Sequence, residues 1–309
     1  MLNSFLKCEA GARIRYTGML ISAIFVLLSV FTIAQKGLNF GLDFTGGYLT
    51  EFTTSQGVEL KQLEQFIAKN HQGEFELTAQ GNNHFQLTQA PNKGANNDAW
   101  KTAISQNPDI NAEVLSSAYI GSQVGDELFE KGCLALFAAM VAVMIYLAVR
   151  FEWRLALGSV VALLHDLVLV VGLFSWLQIE FNLTVLASLL AIIGYSLNDS
   201  IIVGDRVREL LRIPTNISLK PSSIINNAIK STLTRTLITS GTTLATVASV
   251  WLLAGAPLQG FAIALFAGIV VGTLSSICIA ATLPELLGLS AKNYDKQVDQ
   301  QTQALMDMP

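Results

Sequence analysis

Apolar residues in this chain are gathered into six long runs, at 18–35, 132–149, 155–178, 183–204, 236–253 and 261–283. A bilayer's hydrocarbon core is about 30 Å thick and takes about 20 helical residues to cross, so each run predicts a transmembrane helix. The segment between the first and second runs has a different pattern. Strands at 48–54, 74–80, 84–89 and 113–119 alternate with helices at 60–70 and 97–105, and this βαββαβ order predicts a ferredoxin-like α+β domain. Gly81-Asn82-Asn83 between the middle strands is a hairpin signal, because Gly and Asn tolerate positive φ. At 221–233 the apolar residues Ile224, Ile225, Ala228, Ile229 and Leu233 share one helical face against Asn226, Asn227, Lys230 and Ser231, which predicts a short interfacial helix. Gly268 and Gly272, four apart in the last run, permit close approach of a neighbouring helix.

The fold class that follows is an α-helical polytopic membrane protein with six transmembrane helices and one extramembrane domain between helices 1 and 2. Residues 1–17 form an amino-terminal stretch, 18–35 the first helix, 36–131 the domain, 132–287 helices 2–6 with a loop at 205–235, and 288–309 a polar tail. Lys7, Arg13 and Arg15, then Arg150 and Arg154, then Arg206, Arg208, Arg212, Lys220, Lys230 and Arg235, and finally Lys292 and Lys296 all fall on one side of the predicted membrane. Positive loops are retained in the cytoplasm, so both termini are expected there and residues 36–131 outside, in the periplasm.

Composition agrees: 51% of the 309 residues are hydrophobic and only 14% charged. The lipid bilayer is the expected surrounding, and a net charge of −4 offers no basic face for nucleic acid. Cys8, Cys133 and Cys278 are odd in number and lie in or beside membrane segments, so they make no disulfide framework. The first apolar run follows basic residues as in a signal peptide but lacks a small-x-small cleavage pattern, which predicts an uncleaved anchor.

Two acidic residues lie well inside predicted spans, Asp166 and Asp199. A central Asp costs about 2.5–3.5 kcal/mol on the insertion scale, which the Leu, Ile and Val residues of 183–204 offset. Such residues are functional-site candidates by default, the alternative being a buried polar contact between helices. Asp199 is five residues from the end of its run, about 7 Å inside, and Arg235 begins the next helix at the same face. A carboxylate with a guanidinium in reach can hold its charge, then take up a proton if the pair separates. Read alone, Arg235 is a snorkelling anchor. Asp166 lies beside His165, and Asn198, Ser231, Thr234, Thr239 and Ser240 supply supporting polar groups. The predicted depths of Asp166 and Asp199 differ by about 9 Å, too far for an aspartyl-protease dyad. No nucleotide loop, nucleophile motif or metal-ligand spacing appears, so neither enzyme activity nor a cofactor is expected. In 41–47, Gly46 and Gly47 allow a tight entry to the first strand, and Asp43 is placed to bond turn amides.

GLDFTGG at 41–47, RFEWR at 150–154, LLHD at 163–166, GYSLNDS at 194–200, DRVRE at 205–209 and TLTRTLITS at 232–240, in that order, resemble the SecF branch of the SecD/SecF family, within the resistance-nodulation-division superfamily. The resemblance spans residues 18–287. It implies half of a twelve-helix assembly completed by SecD, with YajC and the SecYEG translocon as associates and unfolded polypeptide as client. It implies that the proton gradient drives late export, with Asp199 and Arg235 on the proton pathway, Asp166 in support, and Gly41, Asp43, Gly46 and Gly47 as a structural motif. A proton-driven exporter of small molecules or lipids is the alternative within the superfamily; a single domain of about 95 residues leaves little to build a drug channel. Two departures stand out. Gly204 occupies a position where the family commonly has an aromatic residue, and 120–128 lacks the expected proline.

Overall fold

A computed structural model describes residues 2–55, 58–71, 75–81, 83–89, 99–108, 110–213, 216 and 219–291. Its elements run α1 (Leu2–Lys36), α2 (Leu42–Thr45), β1 (Gly47–Thr53), α3 (Leu60–Asn70), β2 (Phe75–Ala79), β3 (His84–Gln89), α4 (Ala99–Ser105) and β4 (Glu113–Ile120). They continue with α5 (Ser122–Arg150), α6 (Trp153–Leu177), α7 (Leu183–Leu211), α8 (Pro221–Leu253), α9 (Ala256–Ser275), a π-helical turn (Ser276–Ala280) and α10 (Leu283–Leu286). Among the described residues, six helices are long and apolar enough to cross a membrane. They are α1, α5, α6, α7, α8 and the α9 segment continued through α10.

The helices outrun the apolar stretches that predict them. α1 begins by residue 2, where the sequence suggests a tail to residue 17, and α5 begins ten residues before its apolar run. The largest correction concerns 205–235, expected as a loop carrying an interfacial helix. Instead α7 continues to Leu211, and 221–233 is the first part of one helix that reaches Leu253. Hydropathy marks where lipid ends, but backbone hydrogen bonds continue wherever an apolar stripe has something to pack on. Val203, Val207 and Leu211 of α7 bury against Ile224, Ile225 and Ala228 of α8, with Leu147, Phe151 and Leu155 beside them. Gly204 sits in this cluster. A Cβ there would lie 3.4 Å from the Phe151 ring, so Phe151 fills the space that an aromatic at 204 would take.

The extramembrane domain is one antiparallel sheet in the order β2-β3-β1-β4, with α3 and α4 supplying the crossovers of the expected βαββαβ sequence. Phe52, Leu63, Ile67, Phe85, Leu87, Trp100 and Ile104 form its core. Gly81 takes φ +157° at the β2–β3 hairpin; Asn82 lies outside the described residues. β4 passes into α5 through Gly121 alone, so the missing proline leaves a direct strand-to-helix join.

The joint between domain and membrane is built by 39–47. The sequence suggests a turn there; the structure has the short helix α2, with Gly46 at φ +68° and Gly47 at φ +148° leading into β1. The Gly41 amide donates to the Phe181 carbonyl at 3.0 Å, and the Phe181 amide donates to Asn39 at 2.6 Å. Asp43 does not bond its own turn; its Oδ2 accepts the Leu183 amide at 2.9 Å, at the first turn of α7. A carboxylate there satisfies one of the four donors that every helix start leaves free, and the helix dipole favours its charge. Phe40, Phe44, Phe129 and Phe181 pack edge to face around the joint, and Gly125 of α5 approaches Phe44 so closely that a Cβ would lie 2.4 Å from its carbonyl oxygen.

At the opposite end, on the side of the termini, Arg15 is buried to 2% exposure. Its guanidinium bonds Asn226 at 2.9 Å, Ser222 at 3.0 Å and Thr282 at 3.1 Å, and pairs with Glu285 at 2.9 Å. One side chain of α1 thereby ties the starts of α8 and α10 together. Removing one partner of a buried pair strands the other charge, so Arg15→Ala is expected to cost about 3–5 kcal/mol. Unfolding of the reconstituted chain by a denaturing detergent measures the loss, and replacing Arg15 and Glu285 together by apolar residues should restore part of it.

Candidate functional site

α6, α7, α8 and α9 meet in the middle of the bundle, where they bury both membrane carboxylates. α7 and α9 can approach because α9 carries glycine at the crossing: a Cβ on Gly268 would lie 2.4 Å from Ile192, and one on Gly272 would lie 3.2 Å from Ser196 and 3.3 Å from Asp166. That is the close approach expected from the four-residue glycine spacing.

Asp166 is fully buried and well bonded. Its Oδ1 pairs with His165 Nδ1 at 2.9 Å, while its Oδ2 accepts from Ser275 Oγ at 2.9 Å and from Ser196 Oγ. These groups come from α6, α7 and α9, so the carboxylate ties three helices together. Hydroxyl donors on both neighbours offset much of the cost of holding it away from water.

Asp199, buried to 1% exposure one turn further along α7, is held much more loosely. Its Oδ2 lies 3.5 Å from Ser240 Oγ of α8, at the limit of a hydrogen bond, and Ser240 is itself 2.8 Å from Thr273 Oγ1 of α9. Asp199 Oδ1 has no protein partner, and the buried hydroxyls Tyr195 Oη and Thr236 Oγ1, one turn before Asp199 and Ser240 on their helices, have none either. α7 runs on past Gly204 to Leu211, so Asp199 is twelve positions from its helix end rather than five.

The remaining expected site residues divide. His165 joins Asp166, and its Nε2 is buried without a partner. Arg235 is exposed on α8 and makes no ion pair with Asp199 among the described residues. Asn198 and Thr234 are exposed, and Thr239 donates to the Arg235 and Thr236 carbonyls. The two carboxylates have separate partners and do not form a dyad. Ser196, Ser275, Thr273, Tyr195 and Thr236 complete the layer and were not singled out by the sequence; Ser196 three residues before Asp199, and Thr273 and Ser275 just after the glycine pair, are the signals that could have found them. Among the described residues, no group of three His, Cys, Asp or Glu side chains could hold a metal ion.

Packing around this layer makes a direct prediction. In Gly268→Ala the methyl must displace Ile192 or lift α9 off α7, so a loss of about 1–3 kcal/mol is expected. Gly194 of α7 has nothing within 4 Å, and Gly194→Ala in the isolated chain should stay within about 0.5 kcal/mol of the parent in the same unfolding assay.

Residues 100–289 match the family model of the SecD/SecF protein export membrane protein C-terminal region, and residues 31–58 match the SecD/SecF GG motif. The chain is 38% identical over 294 residues to the protein translocase subunit SecF of Vibrio alginolyticus, covering 93% of each chain. It is 36% identical over 302 residues to that of Escherichia coli O157:H7, covering 96% of this chain and 93% of the relative. Its fold superposes on the crystal structure of SecDF, a translocon-associated membrane protein from Thermus thermophilus, with a TM-score of 0.74 and 32% identity, over 89% of this chain and 37% of the longer SecDF chain. A SecDF structure in a super-membrane-facing form gives 0.67 and 30% over 95% of this chain and 39% of that one. With matching relatives over nearly its whole length, and the export-protein and GG-motif signatures in the expected order, the chain belongs to the SecD/SecF family of membrane proteins, in the bacterial inner membrane.

Proposed function

We propose that this chain is the SecF-type accessory subunit of the Sec export machinery, and that Asp199 takes up and releases the protons that drive it. The observation that carries the reading is the contrast between the two buried carboxylates. Asp166 has a donor on every side and belongs to the frame. Asp199 has one donor at the edge of bonding distance and one bare oxygen, so neither its charged nor its protonated form is locked in. Arg235, exposed on α8 with no ion pair to Asp199, would favour the carboxylate by approaching it and the protonated acid by withdrawing. One elementary charge crossing 100 mV releases about 2.3 kcal/mol, enough to shift a two-state element about fiftyfold.

The sorting of basic residues supports an orientation with both termini cytoplasmic and the βαββαβ domain in the periplasm. A proton entering from that side reaches a helix whose first turn is held by Asp43, so motion of α7 is transmitted to the domain and from there to an emerging, unfolded polypeptide. SecD supplies the second half of the assembly, as in the SecDF chains of similar fold; SecYEG and YajC are the associates that the family implies. The exposed face of α7 suits a partner helix: Ala187, Ala191, Gly194 and Asn198 form a stripe of small and polar side chains beside Asp199. Small residues allow backbones to approach closely where lipid supplies no hydrophobic drive.

Two measurements test these roles separately. In vesicles carrying Asp199→Asn at parental levels of the complex, export of a secreted precursor should lose its gradient-stimulated part while assembly is retained; undiminished stimulation would reduce Asp199 to a buried contact. Gly194→Leu should leave the isolated chain stable but weaken co-purification with SecD, and intact pairing would remove the α7 stripe from the interface.

A further inference from the structure

On the side of the termini, α5 and α7 end next to each other, and Arg150, Asp205, Arg208, Glu209 and Arg212 line a cleft of about 440 Å³ between them. Three guanidinium groups face two carboxylates. Arg150 pairs with Asp205 at 2.9 Å and Arg208 donates to the Arg150 carbonyl at 2.9 Å, which fixes both guanidiniums at the rim. Glu209 is drawn to Arg206, outside the cleft, at 2.6 Å, so its charge is already matched elsewhere. Among the lining side chains, arginines outnumber carboxylates three to two.

The cleft opens where the membrane surface must lie. The last turns of α5 present Ile145 at 61% and Val149 at 85% exposure, and Tyr146 is exposed beside them. Val149 immediately precedes Arg150 on α5. Across the α5–α6 turn, Trp153 is exposed and stacked under Arg154, whose guanidinium carbon lies 4.9 Å from the ring centre. Exposed Trp and Tyr next to Arg mark the headgroup level of a bilayer. A charged cleft at that level, adjoining exposed apolar residues, matches a molecule with an anionic head and hydrocarbon tails.

We propose that this cleft binds the phosphodiester headgroup of an anionic phospholipid, with the acyl chains lying along Ile145 and Val149. Guanidinium groups pair with phosphate oxygens through two parallel N–H bonds, which ammonium groups cannot do, and three of them converge here. Arg208 and Arg212 act on the phosphate, while Arg150, already paired with Asp205, positions the rim. Lipid occupancy would bridge the ends of α5 and α7 and so hold the helix that carries Asp199. The site does not depend on the proton-relay reading.

The test uses the full-length chain, purified in detergent and examined by native mass spectrometry and thermal unfolding with phosphatidylglycerol, phosphatidylcholine or inorganic phosphate added. Phosphatidylglycerol should be retained and should stabilise the parent, phosphatidylcholine should do so much less, and salt should weaken the effect. Arg208→Gln/Arg212→Gln should bind phosphatidylglycerol about 30-fold more weakly, corresponding to about 1 kcal/mol for each basic side chain near an anionic surface. Asp205→Asn/Glu209→Gln should bind it more tightly, a sign reversal that general loss of folding cannot imitate. Equal retention by the parent and the double glutamine variant would mean that the arginines only cap the two helix ends, and it overturns the proposal. So would inorganic phosphate stabilising as well as the lipid, which makes the site one for free phosphate.

Discussion

Everything in the membrane part is arranged around the cost of keeping two carboxylates away from water. Asp166 meets that cost with bonds from three helices, and glycine on α9 is what lets those helices come near enough to make them. The polar layer therefore sets the spacing of α6, α7 and α9, and apolar packing fills in above and below it. Leu167, Val170, Leu189 and Ile193 lie on the domain side, and Val203, Val207 and Ile224 on the side of the termini. Asp199 sits at the edge of this frame rather than inside it. A rigid scaffold beside a loosely held ionisable group is a reasonable division of labour for a device that must change protonation without losing its fold.

The six spans, the βαββαβ domain and both membrane carboxylates were legible because each rests on local rules: run length, alternation, and the rarity of charge in apolar sequence. Helix ends were not. Nothing within 205–235 distinguishes a charged loop from a charged helix until Val207 and Leu211 are seen to pack on Ile224 and Ile225, and that contact crosses from one helix to the next. The same holds for Asp43. Within GLDFTGG it looks like a turn residue, and only the return of the chain at residues 181–183 shows that it bonds the start of α7. Arg235 illustrates the opposite case, in which sequence spacing suggested an ion pair and the helical face that it occupies turns it outward.

The glycine-rich segment gains meaning from that long-range bond. It ties the entry of the domain to the first turn of the helix that, about 24 Å further along at 1.5 Å per residue, carries Asp199. No flexible linker intervenes on this path. The second connection, through Gly121, is just as short, so the domain is held to the membrane helices at two points around a cluster of phenylalanines.

Arg15 sets a condition on how the molecule is made. Its bonding partners lie 207 to 270 residues later in the chain. When α1 first enters the bilayer during synthesis, its guanidinium has nothing to bond except water and lipid phosphate. Only when the sixth span has inserted do Thr282 and Glu285 arrive to close the clamp. The cation on α1 is thus matched by its ion-pair partner only after the last span of this chain has been made, and a chain cut short before residue 285 would leave Arg15 with its α8 bonds alone.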